Sequence, residues 1–223
     1  MNEIFKKFRD VGIIPVVVME HEEQAEKLAD VLCDNGLPCA EVTFRTEAAA
    51  KVIAAMVKHR PEMLVGAGTV LTTEEVDSAV DAGAKFIVSP GLNPTVVKYC
   101  QSRNIPVAPG TQTPSEMEKA ISLGLDFVKF FPAEQSGGLN MIRAVVAPYS
   151  QLSFMPTGGI NADNVRQYLV DDKIVACGGS WMVKQSLLDE GNWKVVAKLV
   201  KEAAAIVREV RGESKLVKHL LAS

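Results

Sequence analysis

Residues 25–69 read AEKLADVLCDNGLPCAEVTFRTEAAAKVIAAMVKHRPEMLVGAGT, and their apolar period alternates along the stretch. Ala25, Leu28, Ala29 and Leu32 recur at helical spacing, as do Ala48, Val52, Ala55 and Met56. Between and after these stripes lie two short apolar runs, residues 39–44 and 63–69, that read as strands. Strand, helix, strand in this order predicts a parallel α/β sheet, because parallel neighbours need a long crossover between them. Further runs of the same kind occupy residues 13–18, 85–89, 105–109, 126–130, 152–157 and 173–177, and successive starts lie about 20–26 residues apart. That interval holds one helix and two short loops. Thr72-Thr73-Glu74-Glu75 and Thr113-Pro114-Ser115-Glu116 place capping hydroxyls and acids where two of the helices should begin.

Eight strand–helix units point to a (β/α)8 TIM barrel, with an open doubly wound sheet as the alternative that alternation alone leaves standing. Residues 1–9 read as an extra N-terminal helix. Residues 192–221 read as a long final helix with a second apolar set at Leu216, Val217, Leu220 and Leu221. No linker, low-complexity tract or composition break divides the chain, so residues 1–223 are expected to form a single barrel domain.

Composition excludes several classes of function. Of 223 residues, 48% are hydrophobic and 23% charged, and the net charge of -3 offers no basic field for nucleic acid. The longest apolar run, residues 13–19, has seven residues, against about 18–20 for a membrane span. The N-terminus lacks a signal peptide's apolar core. Cys33, Cys39, Cys100 and Cys177 have neither metal-site nor disulfide-scaffold spacing. The expected location is the cytoplasm.

In a barrel the reactive face lies at the C-terminal ends of the strands. Within residues 39–46, Glu41, Thr43 and Arg45 are two apart and should share one face, with Val42 and Phe44 on the other. The apolar face suits the helix layer, which turns the polar face inward. A solvated edge strand with a routine Glu–Arg pair is the plainer reading of this segment. The run Asp126-Phe127-Val128-Lys129-Phe130-Phe131-Pro132 is more pointed, since Lys129 sits among apolar residues toward a strand's exit. Desolvation there disfavours the ammonium form and makes the amine a usable nucleophile. The alternative is a lysine whose stem is buried while its head reaches water.

Two glycine pairs, Gly158-Gly159 and Gly178-Gly179, read as turns after the last two strands. Backbone N–H groups converging there suit a phosphate. His21, His59 and His219 lie in or beside helices and form no recognisable metal-ligand spacing, so no metal is expected. No nucleophile elbow, P-loop or dinucleotide fingerprint is present.

The segments GLPCAEVTFR (residues 36–45) and GLDFVKFFPAE (residues 124–134) resemble the two signatures of the KDPG/KHG aldolase family, whose substrates are 2-keto-3-deoxy-6-phosphogluconate and 2-keto-4-hydroxyglutarate. VGAGTV (65–70), SPG (89–91), PG (109–110), PTGGI (156–160) and GGSW (178–181) follow in the family's order. The resemblance implies a metal-independent class I aldolase of the Entner-Doudoroff pathway, without a cofactor, built as a homotrimer of barrel subunits. It implies that Lys129 is the Schiff-base lysine and Glu41 the general acid/base. Arg45, Thr69 and Pro90 match positions around the substrate carboxylate, and Gly158, Gly159 and Ser180 match the phosphate-binding turns. The implied substrate is a keto-acid phosphate, cleaved to pyruvate and D-glyceraldehyde 3-phosphate, with 4-hydroxy-2-oxoglutarate as a further substrate. Val17-Val18-Met19 depart from relatives that place a basic residue there. The competing readings are an aldolase for the C4 epimer, 2-keto-3-deoxy-6-phosphogalactonate, a non-aldolase phosphate-binding barrel enzyme, and a non-catalytic sugar-phosphate sensor.

Overall fold

A computed structural model describes the backbone of residues 2–221 and the side chains of residues 2–212. Helix α1 (Glu3–Val11) precedes strand β1 (Ile13–Val17). Alternation then runs through α2 (Ala25–Asp34), β2 (Cys39–Thr43), α3 (Ala49–His59), β3 (Leu64–Gly68), α4 (Thr73–Asp81), β4 (Ile87–Val88) and α5 (Pro94–Ser102). It continues with β5 (Val107–Ala108), β6 (Gly110–Thr111), α6 (Pro114–Ser122), β7 (Phe127–Phe130), α7 (Gly138–Val146) and β8 (Ser153–Pro156). The last elements are α8 (Val165–Leu169), β9 (Cys177–Gly179), α9 (Gln185–Asp189) and α10 (Trp193–Leu221). Leu216, Val217, Leu220 and Leu221, expected to form a second apolar set on α10, have side chains outside the described residues, as does His219.

Every strand pairing is parallel. One sheet has the order β5-β4-β3-β2-β1-β9 and the other β6-β7-β8, so hydrogen bonding forms two curled sheets rather than one unbroken eight-stranded ring. Two features account for the breaks. The expected fifth strand, residues 105–109, is split into β5 and β6 by Pro109, which has no N–H to give a ladder. The expected eighth strand, residues 173–177, begins only at Cys177, and isolated bridges Phe154↔Ile174 and Thr157↔Gly178 link its surroundings to β8. Gly178 and Gly179 are therefore strand residues, not a turn. Gly178 is required there because a Cβ would meet Thr157 Oγ1 at 2.3 Å.

Both expected helix starts carry a complete capping box, Thr72 with Glu75 and Thr113 with Glu116, the latter with Pro114 in the first turn. Side-chain alternation sorts the interior into two apolar groups. Ala40, Val42, Val128 and Phe130 face the helix layer. Ile14, Cys39, Leu64, Phe86, Phe127 and Met155 pack on the opposite side, where Phe5 and Phe8 of α1 join them. The Phe5 ring lies 4.4 Å from that of Phe127, and the Phe8 ring 4.8 Å from that of Phe86. The amphipathic N-terminus is thus a plug for the inner face of the sheets, with Phe127 two residues below Lys129. Among the described residues no helix is long and apolar enough to cross a membrane.

Candidate active site

Glu41 is the third residue of β2 and Lys129 the third of β7, and the curl of the sheets brings them together across 88 residues of sequence. Lys129 Nζ lies 3.5 Å from Glu41 Oε1, with Lys129 5% exposed and Glu41 fully buried. Each shares its face with the inner-core residue two positions earlier, Cys39 or Phe127. The plainer alternatives fail on this geometry: Glu41 pairs with Lys129 rather than Arg45, and the lysine head is buried together with its stem.

The Glu41 carboxylate is only partly satisfied, and a second buried oxygen, just past the end of β8, is unpartnered. Glu41 Oε2 and Thr157 Oγ1 are buried and make no hydrogen bond among the described residues. Such orphaned oxygens are uncommon in folded proteins and concentrate where a ligand or water completes them. The Phe131 ring lies 5.0 Å from Lys129 Nζ, close enough for a cation–π contact. Thr111 Oγ1 donates to the Lys129 carbonyl at 3.2 Å, and Thr43 Oγ1 to the Val17 carbonyl at 2.9 Å, fixing the strand ends that carry the pair. Burial, then the Glu41 carboxylate, pushes the Cys39 thiol up, and burial pushes up that of Cys177. Neither thiol supplies a nucleophile at neutral pH.

The remaining expected residues stand just past strand ends. Thr69 follows β3 with φ 56°, a left-handed conformation that a β-branched residue rarely adopts. Pro90 lies two residues after β4, and its carbonyl abuts Gly110, where a Cβ would lie 2.0 Å from the Pro90 oxygen. Gly158 (φ 98°) and Gly159 (φ 80°) form the turn after β8, and Ser180 follows β9. Arg45 corrects one expectation. Strand β2 ends at Thr43, so Arg45 sits in the following turn, exposed, rather than on the inward face shared by Glu41 and Thr43. The chain has already turned toward α3 there, and strand alternation no longer governs its direction.

Sequence reasoning passed over Phe131, Thr157 and Thr111. Phe131 carried a signal, since it lies two residues from Lys129 along the same run. Thr157 carried none beyond its place before a glycine pair. His59 meets Asp30 at 2.9 Å on the α2–α3 surface. Among the described residues no group of three or more His, Cys, Asp or Glu could hold a metal ion.

Comparison with known proteins matches this chain over nearly its whole length. The family model "KDPG and KHG aldolase" covers residues 4–199. The chain belongs to this aldolase family. Among similar relatives, the 2-dehydro-3-deoxy-phosphogluconate aldolase of Haemophilus influenzae is 48% identical over 207 residues, covering 93% of this chain and 98% of its own. The KHG/KDPG aldolase of Escherichia coli K12 is 41% identical, covering 86% of this chain and 90% of its own. The KDPG aldolase of Legionella pneumophila, solved with pyruvate captured as a covalent carbinolamine intermediate, superposes with a TM-score of 0.87 at 35% identity, covering 91% of this chain and 98% of its own.

Proposed function

We propose that this chain is a class I aldolase that cleaves 2-keto-3-deoxy-6-phosphogluconate to pyruvate and D-glyceraldehyde 3-phosphate. Its Schiff base forms on Lys129, and Glu41 moves the protons. The observation that carries the reading is the buried contact of 3.5 Å between Lys129 Nζ and Glu41 Oε1. Transfer of one proton from the ammonium to the carboxylate gives a neutral amine and a neutral acid. The same step therefore creates the nucleophile and the acid it needs.

The amine adds to the C2 ketone, and loss of water, with a proton from Glu41, leaves an iminium. The iminium draws the electrons of the C3–C4 bond while the carboxylate takes the proton of the C4 hydroxyl. D-Glyceraldehyde 3-phosphate departs, and the enamine that remains is protonated at C3. Hydrolysis of the resulting iminium returns Lys129 and releases pyruvate. Glu41 Oε2, without an internal partner, leaves one oxygen of the base available to substrate while Oε1 faces the lysine.

In this reading Arg45 binds the substrate carboxylate, its planar fork matching both oxygens. Thr69 and Pro90 line the same end. Gly158, Gly159 and Ser180 receive the phosphate through backbone N–H groups and the hydroxyl. The two sheets are the parts of one (β/α)8 barrel in a single domain, a reading supported by the isolated bridges Phe154↔Ile174 and Thr157↔Gly178 beside β8 and β9 and by continuity of the chain through Pro109. A cytoplasmic homotrimer and activity on 4-hydroxy-2-oxoglutarate complete the proposal, both resting on family membership. The test is incubation with pyruvate and borohydride followed by peptide mapping. A reduced pyruvyl adduct on Lys129 is expected; an adduct elsewhere, or none, overturns the reading.

A further inference from the structure

The Gly158–Gly159 turn is held from two sides. From the segment that follows β7, the Ala133 N–H donates to the Thr157 carbonyl at 2.8 Å and the Glu134 N–H to the Gly158 carbonyl at 3.1 Å. From the segment that leads into α8, the Asn164 side-chain amide donates to the Gly159 carbonyl at 2.9 Å, and that of Asn161 to the same oxygen at 3.3 Å. A trans peptide is planar, with its C=O and N–H antiparallel. Fixing the Gly158 carbonyl therefore aims the Gly159 N–H, and fixing the Gly159 carbonyl aims the Ile160 N–H.

Glu134 adds a side-chain contact. Its Cβ and Cγ press on Gly159, where a Cβ would lie 2.7 and 2.6 Å from them. Its carboxylate accepts a hydrogen bond from the hydroxyl of Tyr168, a fully buried residue of α8. Gly138 makes room for that bond, since a Cβ there would lie 2.8 Å from the Tyr168 oxygen and 3.0 Å from Glu134 Oε1. Burial, then the Glu134 carboxylate, pushes the Tyr168 phenol up, so it stays a donor at neutral pH. The buried phenol thus locks an otherwise exposed carboxylate against the turn.

We propose that Glu134 and Tyr168 are positioning residues for phosphate recognition, acting with Asn164 to aim the Gly159 and Ile160 N–H groups at the substrate's phosphate. The inference rests on the aldolase reading above and adds the residues that confer preference for a phosphorylated aldehyde. Aimed donors outperform floppy ones because their orientation is set before the ligand arrives. Neither residue is asked to touch substrate, and the chemistry at Lys129 proceeds without them.

The test compares D-glyceraldehyde 3-phosphate with D-glyceraldehyde as acceptors for pyruvate, as a ratio of kcat/KM. Borohydride trapping of pyruvate alone reports on Lys129. The parent protein should trap pyruvate and prefer the phosphorylated aldehyde; failure of either defeats the aldolase reading itself. In Tyr168→Phe and Glu134→Ala the preference should fall about tenfold, mainly through KM for the phosphorylated aldehyde, with pyruvate trapping unchanged. Glu134→Gln keeps an oxygen that accepts from Tyr168 and should retain most of the preference. An unchanged preference in the first two variants, or equal losses on both aldehydes, overturns the positioning role. If neither variant yields folded protein, Asn164→Ala decides in the same assay, because it releases the same turn from its outer side.

Discussion

Gly68 of β3 faces Glu41 so closely that a Cβ on it would lie 2.3 Å from Oε1 and 2.6 Å from Cγ. The carboxylate is fully buried and cannot swing into solvent to escape such an atom. Gly68→Ala therefore moves Glu41 relative to Lys129 or bends β3 away. A shift of about 1 Å at a reacting group costs up to about 10²-fold in rate. Turnover should fall by roughly 10–10²-fold. Pyruvate should still be trapped on Lys129, because the amine itself stays in place. Steady-state kinetics beside trapping checks this; parent-level turnover would mean that the position of Glu41 is not critical.

Substitutions at the pair itself separate its two roles. Lys129→Ala should give no adduct and background turnover. Lys129→Arg should not restore either, since a guanidinium stays protonated and cannot add to a carbonyl. Glu41→Gln preserves shape and removes the base, so slow trapping should survive while turnover drops by about 10²–10⁴. If Glu41→Gln turned over at the parent rate, Glu41 would be only a partner for the lysine charge, and the base would lie elsewhere.

The pair was legible because strand alternation is a strict rule: a polar residue between Ala40 and Val42, or between Val128 and Phe130, must face away from the helix layer. The same rule misplaced Arg45, because it was extended two residues beyond the last hydrogen-bonded residue of β2. Gly178-Gly179 read as a turn for a related reason. Glycine signals either a positive φ or a close approach, and sequence alone does not distinguish them. At Gly178 the approach of Thr157 is the cause, and no positive φ occurs there. The clamp on Gly159 was invisible, since Glu134 and Tyr168 are 34 residues apart and meet only through tertiary structure.

The aromatic plug yields a stability prediction. Phe8 is fully buried, with its ring edge-on to Phe86 at 4.8 Å and to Phe127 at 6.1 Å. Phe8→Ala removes a large buried ring, a change that costs about 3–5 kcal/mol. Urea unfolding should register a loss of that order. The Lys129–Glu41 contact lies one layer above Phe127, so trapping should persist in the folded fraction. A loss below about 1 kcal/mol would indicate that the site collapses readily or that α1 packs only loosely.

Alkaline pH tests the cysteines. Burial pushes the Cys33 thiol up to about 11 and the Cys100 thiol up to about 12. Burial also drives Cys39 and Cys177 upward. A thiol raised in the folded state ionises more readily once unfolded. Its contribution is therefore fully present below the ordinary thiol range near 9.0 and is lost as pH rises toward 11 and 12. The midpoint of thermal unfolding should be flat near pH 8 and decline from about pH 9 upward. At pH 8 a disulfide reagent should label the native protein slowly, and all four thiols promptly once urea unfolds it. Cys100→Ala should flatten the alkaline decline measurably, because it removes one group whose ionisation favours the unfolded chain. An unchanged slope in that variant, together with rapid labelling of the native protein, would show that these thiols titrate as exposed groups.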